Sequence, residues 1–324
     1  MLSRVADSLY WMSRYIERAE HATRLLDVNL NLMLDESATS SDQRWQRMLI
    51  ALGRPREIRW AGDPYALTQA LFFNADYPGS ILSCITASRE NARHVREQIS
   101  TEQWQRLNSL YLRLTRPDMG SDSIANYAQP QDALAQVMNA VHQFQGVSDS
   151  TMSHGEGWQF IQVGRYIERA SATALLLEAY HDDLWAFPDR ILEGNEYLEW
   201  MGLLRCATAF EAYCKVYTAD VTPDRVLEFL LLDEEFPHSV RFSIDTMQHA
   251  LDAIEGGGEG RSRAEPLRRL MGRVQSSLRY SSIEEIVAGD IVGYLRDIQR
   301  QCGAIHNIIY QLYIDYSIQA ALAG

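Results

Sequence analysis

A chain of 324 residues with 46% hydrophobic content can bury a large core. Its formal net charge of −13 argues against a nucleic-acid or anionic-membrane binder, which needs basic stripes. The apolar runs fall far short of the roughly 20 residues a membrane span requires.

Met1-Leu2-Ser3-Arg4, with Asp7 close behind, lacks the basic-then-apolar build of a signal peptide. Cys84, Cys206, Cys214 and Cys302 show neither Cys-x-x-Cys spacing nor a histidine at zinc-finger distance. Reduced thiols in a cytoplasm are expected, without a disulfide or zinc framework.

Strand signals are almost absent, and helix starts recur along the chain. Ser3 predicts the cap of a helix running to about Leu34, with Leu9, Met12, Ile16, Ala19, Thr23 and Leu26 at alternating spacings of three and four. Ser40 with Gln43, and Ser100 with Gln103, are capping-box patterns. Asp63-Pro64 and Thr222-Pro223 place proline at the first helical position, and Pro130 marks another start.

Thr115–Gln129 reads as a polar connector, and Gly256-Gly257-Gly258 through Ser262 as a flexible loop. His154, Glu156 and Trp158 open a second long helix, where a lone histidine is a surface or capping group. Asp233-Glu234-Glu235 is a helix-end or loop acid cluster. Ser282 with Glu285 opens a last long helix reaching Ala320, and its His306-Asn307 pair is expected to hydrogen-bond in the core. The sum is an all-α, long-helix bundle.

The hexapeptide Arg-Tyr-Ile-Glu-Arg-Ala occurs at Arg14–Ala19 and again at Arg165–Ala170. Its context repeats as well, since the seam from Leu9 to Leu26 lines up with Phe160, Val163, Ile167, Ala170, Ala174 and Leu177. Fainter matches pair Asn74-Ala75-Asp76 with Thr218-Ala219-Asp220, and Glu90, Val95, Arg96 and Ile99 with Glu235, Val240, Arg241 and Ile244. The chain therefore reads as one helical domain of two duplicated halves, about 1–150 and 151–324, packed about an approximate pseudo-two-fold axis because neither half closes its own seam.

On a helical wheel, Arg14 and Arg18 fall almost opposite the seam, with His21 beside them and Glu17 on the flank. A water-washed face has no reason to stay identical between diverging copies, yet Arg14, Glu17 and Arg18 recur as Arg165, Glu168 and Arg169. Two readings follow. In one, the helix is buried on both sides and Glu17 and Glu168 are held by Arg14 and Arg165, with Arg96 and Arg241 nearby. In the other, paired guanidiniums line a polar pocket for the carboxylate of an amino acid or peptide.

Glu17 with His21 and Glu90 with His94 hint at a carboxylate-bridged metal centre. The second copy, however, has Ala172 and Ser239 at the histidine places, so neither metal nor cofactor is expected. No Gly-x-Ser-x-Gly, phosphate loop, dinucleotide fingerprint or His-Glu-x-x-His appears.

Met1–Val28, Ala87–Asn108, Gly164–Leu177 and Phe229–Phe242 together resemble the bacterial alpha-E family across essentially the whole chain. That resemblance implies an all-helical protein whose genes adjoin, or are fused to, a circularly permuted ATP-grasp ligase and a transglutaminase-like protease. It carries Arg14, Glu17, Arg18, Arg165, Glu168 and Arg169, together with Glu90, Asn91, Arg93, Arg96 and Pro237–Arg241, as motif positions with no catalytic role assigned. His238 stands where the family's pattern has an arginine. The implied function is an accessory or substrate-holding subunit of an ATP-grasp amide or peptide ligase. The alternatives are a stand-alone enzyme with Glu17 or Glu168 as base, and a structural scaffold.

Overall fold

Both copies of the hexapeptide lie in the two longest helices, α1 (Ser3–Leu32) and α7 (Glu156–Tyr180), which pack side by side at the centre. The computed structural model describes residues 1–33, 41–115, 130–181, 196–218, 220–256 and 264–315. The remaining helices are α2 (Ser41–Ala51), α3 (Pro64–Phe73), α4 (Ile81–His94), α5 (Thr101–Leu114), α6 (Pro130–Thr151), α8 (Glu196–Cys206), α9 (Phe210–Tyr217), α10 (Pro223–Leu232), α11 (Val240–Glu255), α12 (Glu265–Tyr280), α13 (Ile283–Ala288) and α14 (Ile291–Ile309), closed by a π-helical turn at Tyr310–Ile314. No strand occurs among the described residues, and none of the described helices is long and apolar enough to cross a membrane.

α1 and α7 run in the same direction. The Met1 amine meets Glu156, Tyr10 meets Gly164, and Glu17 meets Arg169. Parallel neighbours cannot be joined by a tight turn, so the helices between them must wrap the pair. α4 and α6 pack on α1 with α5 bridging them, while α11 and α14 pack on α7 with α12 bridging them. The short helices cross over: α2 lies mainly on α7, and α8 on α1. Trp45 and Trp200 anchor α2 and α8 at equivalent places, both fully buried.

The predicted starts at Ser100, Asp63-Pro64 and Thr222-Pro223 hold. Ser100 and Gln103 form a reciprocal capping box, and the Asp63 carboxylate accepts from the Tyr65 and Ala66 amides. Leu2, not Ser3, occupies the cap of α1, without a side-chain hydrogen bond. Ser40, residues 116–129 of the connector, residues 257–262 of the glycine loop and the last helix beyond Asp315 lie outside the described residues.

The single last helix from Ser282 is corrected. Ser282 and Glu285 do form a capping box, but α13 stops at Gly289, and Asp290 caps a new helix by accepting from the Gly293 amide at 2.8 Å. Its length was masked because the three-four rhythm continues across the break.

The faint half of the repeat is corrected too. Asp63–Ile85 and Thr222–Ile244 have the same local build. The Asn74 and Asp233 side chains each accept the amide two residues on, at 2.9 Å. The Ser80 amide donates to the Tyr77 carbonyl and the Ser239 amide to the Phe236 carbonyl, after which Ser80 and Ser239 cap α4 and α11. Asn74 thus matches Asp233, and Pro78 matches Pro237. The expected partners differ in structure: Glu90 is inside α4, whereas Glu235 lies in the turn before α11.

α1 and α7 touch most closely at Gly164, where an added Cβ would sit 2.2 Å from Ser13 Oγ and 2.4 Å from the Tyr10 carbonyl oxygen. Gly164→Ala should destabilise by about 1–3 kcal/mol in urea unfolding, since backbone must move to admit the methyl. Gly272→Ala, with nothing within 4 Å, is the control and should be neutral or slightly stabilising.

Candidate functional site

The duplicated charged face turns inward, and its ion pairs cross between helices instead of forming within them. Glu17 takes a two-pronged clasp from Arg169, Nε to Oε1 at 2.5 Å and Nη2 to Oε2 at 2.9 Å, with both side chains buried. Reciprocally, Glu168 accepts from Arg18 Nε at 2.7 Å and from Arg14 Nε at 2.8 Å. Each Glu-Arg dipeptide therefore exchanges charges with the other.

The hexapeptide tyrosines complete the arrangement. The Arg18 guanidinium lies over Tyr15 at 5.6 Å, and that of Arg169 over Tyr166 at 5.3 Å. Arg165 is half-buried; its charge draws the Glu17 carboxyl down without a hydrogen bond between them. The reading in which Arg14 and Arg165 hold Glu17 and Glu168 is thus half corrected: Arg14 holds Glu168, while Glu17 belongs to Arg169.

The two networks differ in what surrounds them. Beside Glu168, Arg14 packs over Trp11 at 4.6 Å, and its Nη1 reaches the Tyr10 hydroxyl and His306 Nδ1, both at 3.3 Å. Because a guanidinium only donates, His306 Nδ1 is the acceptor and the imidazole proton sits on Nε2; the Tyr10 hydroxyl, 2.8 Å away, donates to the same nitrogen. Burial and the Arg14 charge hold His306 below its ordinary value. The expected hydrogen-bonding role of His306 holds, at a half-buried position, whereas Asn307 is exposed and not in the core.

Beside Glu17, the network runs on to Glu20, which accepts from Arg24 at 2.6 Å and Gln145 at 2.8 Å. Arg169 Nη1 and Thr173 Oγ1 donate to the carbonyls of Pro237 and His238, tying α7 to the start of α11. These groups enclose a cavity of about 10 Å³, room for about one water, with His21 Nε2 unpartnered at its edge. Burial pushes the Glu17 carboxyl above the ordinary range against the pull of Arg169, with the Glu20 charge adding. Burial also acts on Glu20 and Glu168, but there it is outweighed. The His142 hydrogen bond and the Arg169 and Arg24 charges hold Glu20 well down, and Arg18 and Arg14 hold Glu168 down. Burial lowers His21 to about 4 and His238 well below its usual value, the Arg24 and Arg169 charges respectively adding to it, so both are neutral.

The other candidate residues are not brought to this centre. Glu90 pairs with Arg93 at 2.9 Å and with Arg89, and Asn91 Nδ2 donates to the Ala87 carbonyl. Arg96 is exposed and lies over Trp104 at 4.8 Å on α5. Arg241 bonds the Leu232 carbonyl and Glu234. A shared motif does not ensure a shared place: these positions close the ends of α4 and α10. Among the described residues no cluster of histidine, cysteine and carboxylate groups is placed to hold a metal ion.

Sequence reasoning missed Glu20 and Arg24, and it named His238 without placing it beside Glu17. A signal existed, because Ser171, Ala172 and Leu175 stand where the first copy has Glu20, His21 and Arg24. It also missed the fully buried Arg47–Glu199 pair between α2 and α8, where Arg47 lies 4.0 Å over Tyr180. Those residues sit outside the repeated hexapeptide.

Over residues 1–314 the chain matches Alpha-E, a predicted alpha-helical domain with a conserved ER motif, and it belongs to that family. The Glu-Arg dipeptide occurs at only two places in the sequence, Glu17-Arg18 and Glu168-Arg169, the four residues of the reciprocal clasp. Uncharacterized proteins of Mycobacterium bovis and Mycobacterium tuberculosis are 25% and 24% identical over 322 residues. The match takes in 94% of this chain and 35% of each relative, so the chain spans about a third of their length. No solved structure matches.

Glu17→Ala strands the Arg169 charge and should cost about 3–5 kcal/mol in chemical unfolding, whereas Glu17→Leu with Arg169→Met should recover most of that loss.

Acid should destabilise the fold. The depressed Glu20 and Glu168 contribute stability that is complete above the ordinary glutamate value of 4.5 and is lost as pH falls through their folded values. Between 6.5 and about 4 the unfolded chain protonates His21 while the folded chain does not, so stability falls with pH there as well. Glu17, raised by burial, acts with the opposite sign. Urea midpoints measured from pH 7 to 4 should therefore decline, and His21→Ala should flatten the upper part of that decline.

Proposed function

We propose that this Alpha-E chain is an accessory helical module of an ATP-grasp amide or peptide ligase, whose Glu-Arg clasp fixes the shape the module presents to its partner. The observation that carries this reading is saturation: both motif carboxylates are taken by motif guanidiniums, at 2.5–2.9 Å. A group so engaged is a poor base and a poor ligand holder, because freeing it means breaking a buried ion pair. The adjoining cavity has room for about one water and none for an amino acid. Reciprocal pairing does give register: sliding α1 along α7 by one turn would unpair both glutamates together.

Two further points support a module acting beside another polypeptide. The resemblance to alpha-E proteins implies a neighbouring ATP-grasp ligase, in some cases fused. The mycobacterial relatives carry this unit as about a third of a longer chain.

The experiment is coexpression of the full chain with the ligase encoded beside it, followed by copurification and ADP release in the presence of amine and carboxylate substrates. A complex with altered ligase turnover is expected, and Glu17→Leu/Arg169→Met should retain both once its helical content is confirmed. Absence of a complex together with unchanged turnover would remove the proposal. Loss of turnover in the folded double variant would instead return the Glu-Arg pair to the chemistry.

A further inference from the structure

Away from the Glu-Arg core, a surface groove of about 1260 Å³ lies between α12 and α14. Its floor is apolar, built from Leu270 on α12 and Ala304 and Ile308 on α14. Gly272 lines it beside open space, since a Cβ there would touch nothing within 4 Å. The wall carries Arg269 and Arg273, together with Glu265 and with Arg268, which pairs with Glu255. Arg269, with 77% of its side chain exposed, spans a single i,i+4 pair to Glu265, an interaction worth little in water. Arg273 is exposed and has no acidic partner among the described residues.

Exposed arginines line a groove elsewhere in the fold as well. α5 and α6 stand to α4 and α1 as α12 and α14 stand to α11 and α7. Between them lies a second groove, of about 410 Å³, with Arg106 and Arg113 on its walls and Leu112 on its rim. Leu112 is 49% exposed, and both arginines are exposed without acidic partners among the described residues. A chain with 43 acidic and 30 basic residues has carboxylates in excess, yet of Arg269, Arg273, Arg106 and Arg113 only Arg269 meets an acid, Glu265, among the described residues.

We infer that the α12–α14 groove is a docking site for an acidic amphipathic helix of a protein partner. A groove between two helices takes the ridge of a third, and the partner's apolar stripe meets Leu270, Ala304 and Ile308. Its flanking carboxylates meet Arg269 and Arg273, whose planar forks suit bidentate contact. The charge of the wall selects an acidic helix over a basic one at close range. Nucleic acid and anionic membrane suit the groove less, because two exposed guanidiniums fall short of the basic stripe that phosphate neutralisation needs. The inference requires no ligase and stands apart from the function proposed above.

A fluorescein-labelled amphipathic peptide of about five helical turns, with a leucine stripe and glutamates elsewhere, is titrated with the full chain and followed by anisotropy. Its counterpart has lysine in place of every glutamate. The acidic peptide should bind, more weakly as salt rises, while the lysine peptide should not. Arg269→Glu with Arg273→Glu should weaken binding at least tenfold with the melting temperature nearly unchanged, and Ile308→Glu should weaken it comparably. Arg59→Glu, exposed and outside the groove, should leave it as it was. Equal binding of the two peptides, no effect of the groove variants, or capture by anionic phospholipid vesicles in place of the acidic peptide would each overturn the inference.

Discussion

The exchanged pairs Glu17–Arg169 and Glu168–Arg18 set the relation between α1 and α7, and the outer helices are hung on that relation. Burying four charges carries a large desolvation cost, repaid only when geometry is good and the remaining donors are satisfied. Both conditions are met here. Arg169 spends its third contact on the Pro237 carbonyl, and Arg14 adds a second guanidinium to Glu168 while packing on Trp11. Hydrophobic residues of the same volume would give comparable stability without fixing which residue faces which. The ion pairs supply register, and the register places α4, α6, α11 and α14 around the central pair.

The two clasps differ in how they hold the carboxylate, since Arg169 takes both oxygens of Glu17 while Glu168 is shared by Arg18 and Arg14, and their surroundings differ as well. The Glu17 side gained Glu20, His21 and Arg24, where the other copy has Ser171, Ala172 and Leu175. It also has His238 where the other turn has Gly79, directly after the paired prolines Pro78 and Pro237. The result is a polar pocket with two neutral imidazoles, closed by α1, α7 and the turn before α11. The Glu168 side instead leads outward through Tyr10, Trp11 and a half-buried His306 whose Nδ1 is committed as an acceptor. One clasp is sealed and the other reaches the surface.

This division separates the parts of the molecule that hold shape from those that meet other molecules. The centre is closely packed, its three carboxylates are each held by arginine, and its cavity has room for about one water. Surface grooves lie on the outer helix pairs, where arginines border the apolar floor between α12 and α14 and the Leu112 rim between α5 and α6. A module of this build transmits position better than chemistry, which accords with its proposed place beside a ligase.

The sequence by itself determined the helical class, most of the helix starts and the presence of a second buried face on α1 and α7. Those features are local: capping side chains bond amides within three residues, and an amphipathic rhythm repeats every turn. The exchanged pairing was not legible, because Glu17 and Arg169 are brought together only when two distant helices run parallel, and one sequence cannot say whether an arginine serves its own helix or its neighbour's. For the same reason Glu90, Asn91, Arg93, Arg96 and Arg241, equally charged on paper, ended at helix termini away from the clasp. The correspondence of α3–α4 with α10–α11 was readable only after turn chemistry was given more weight than identity, since Asn74 and Asp233 share a backbone bond and not a name. Tertiary structure decided which charges meet, how much room is left beside them and which surfaces stay open, because each depends on distances between helices that no local interaction sets.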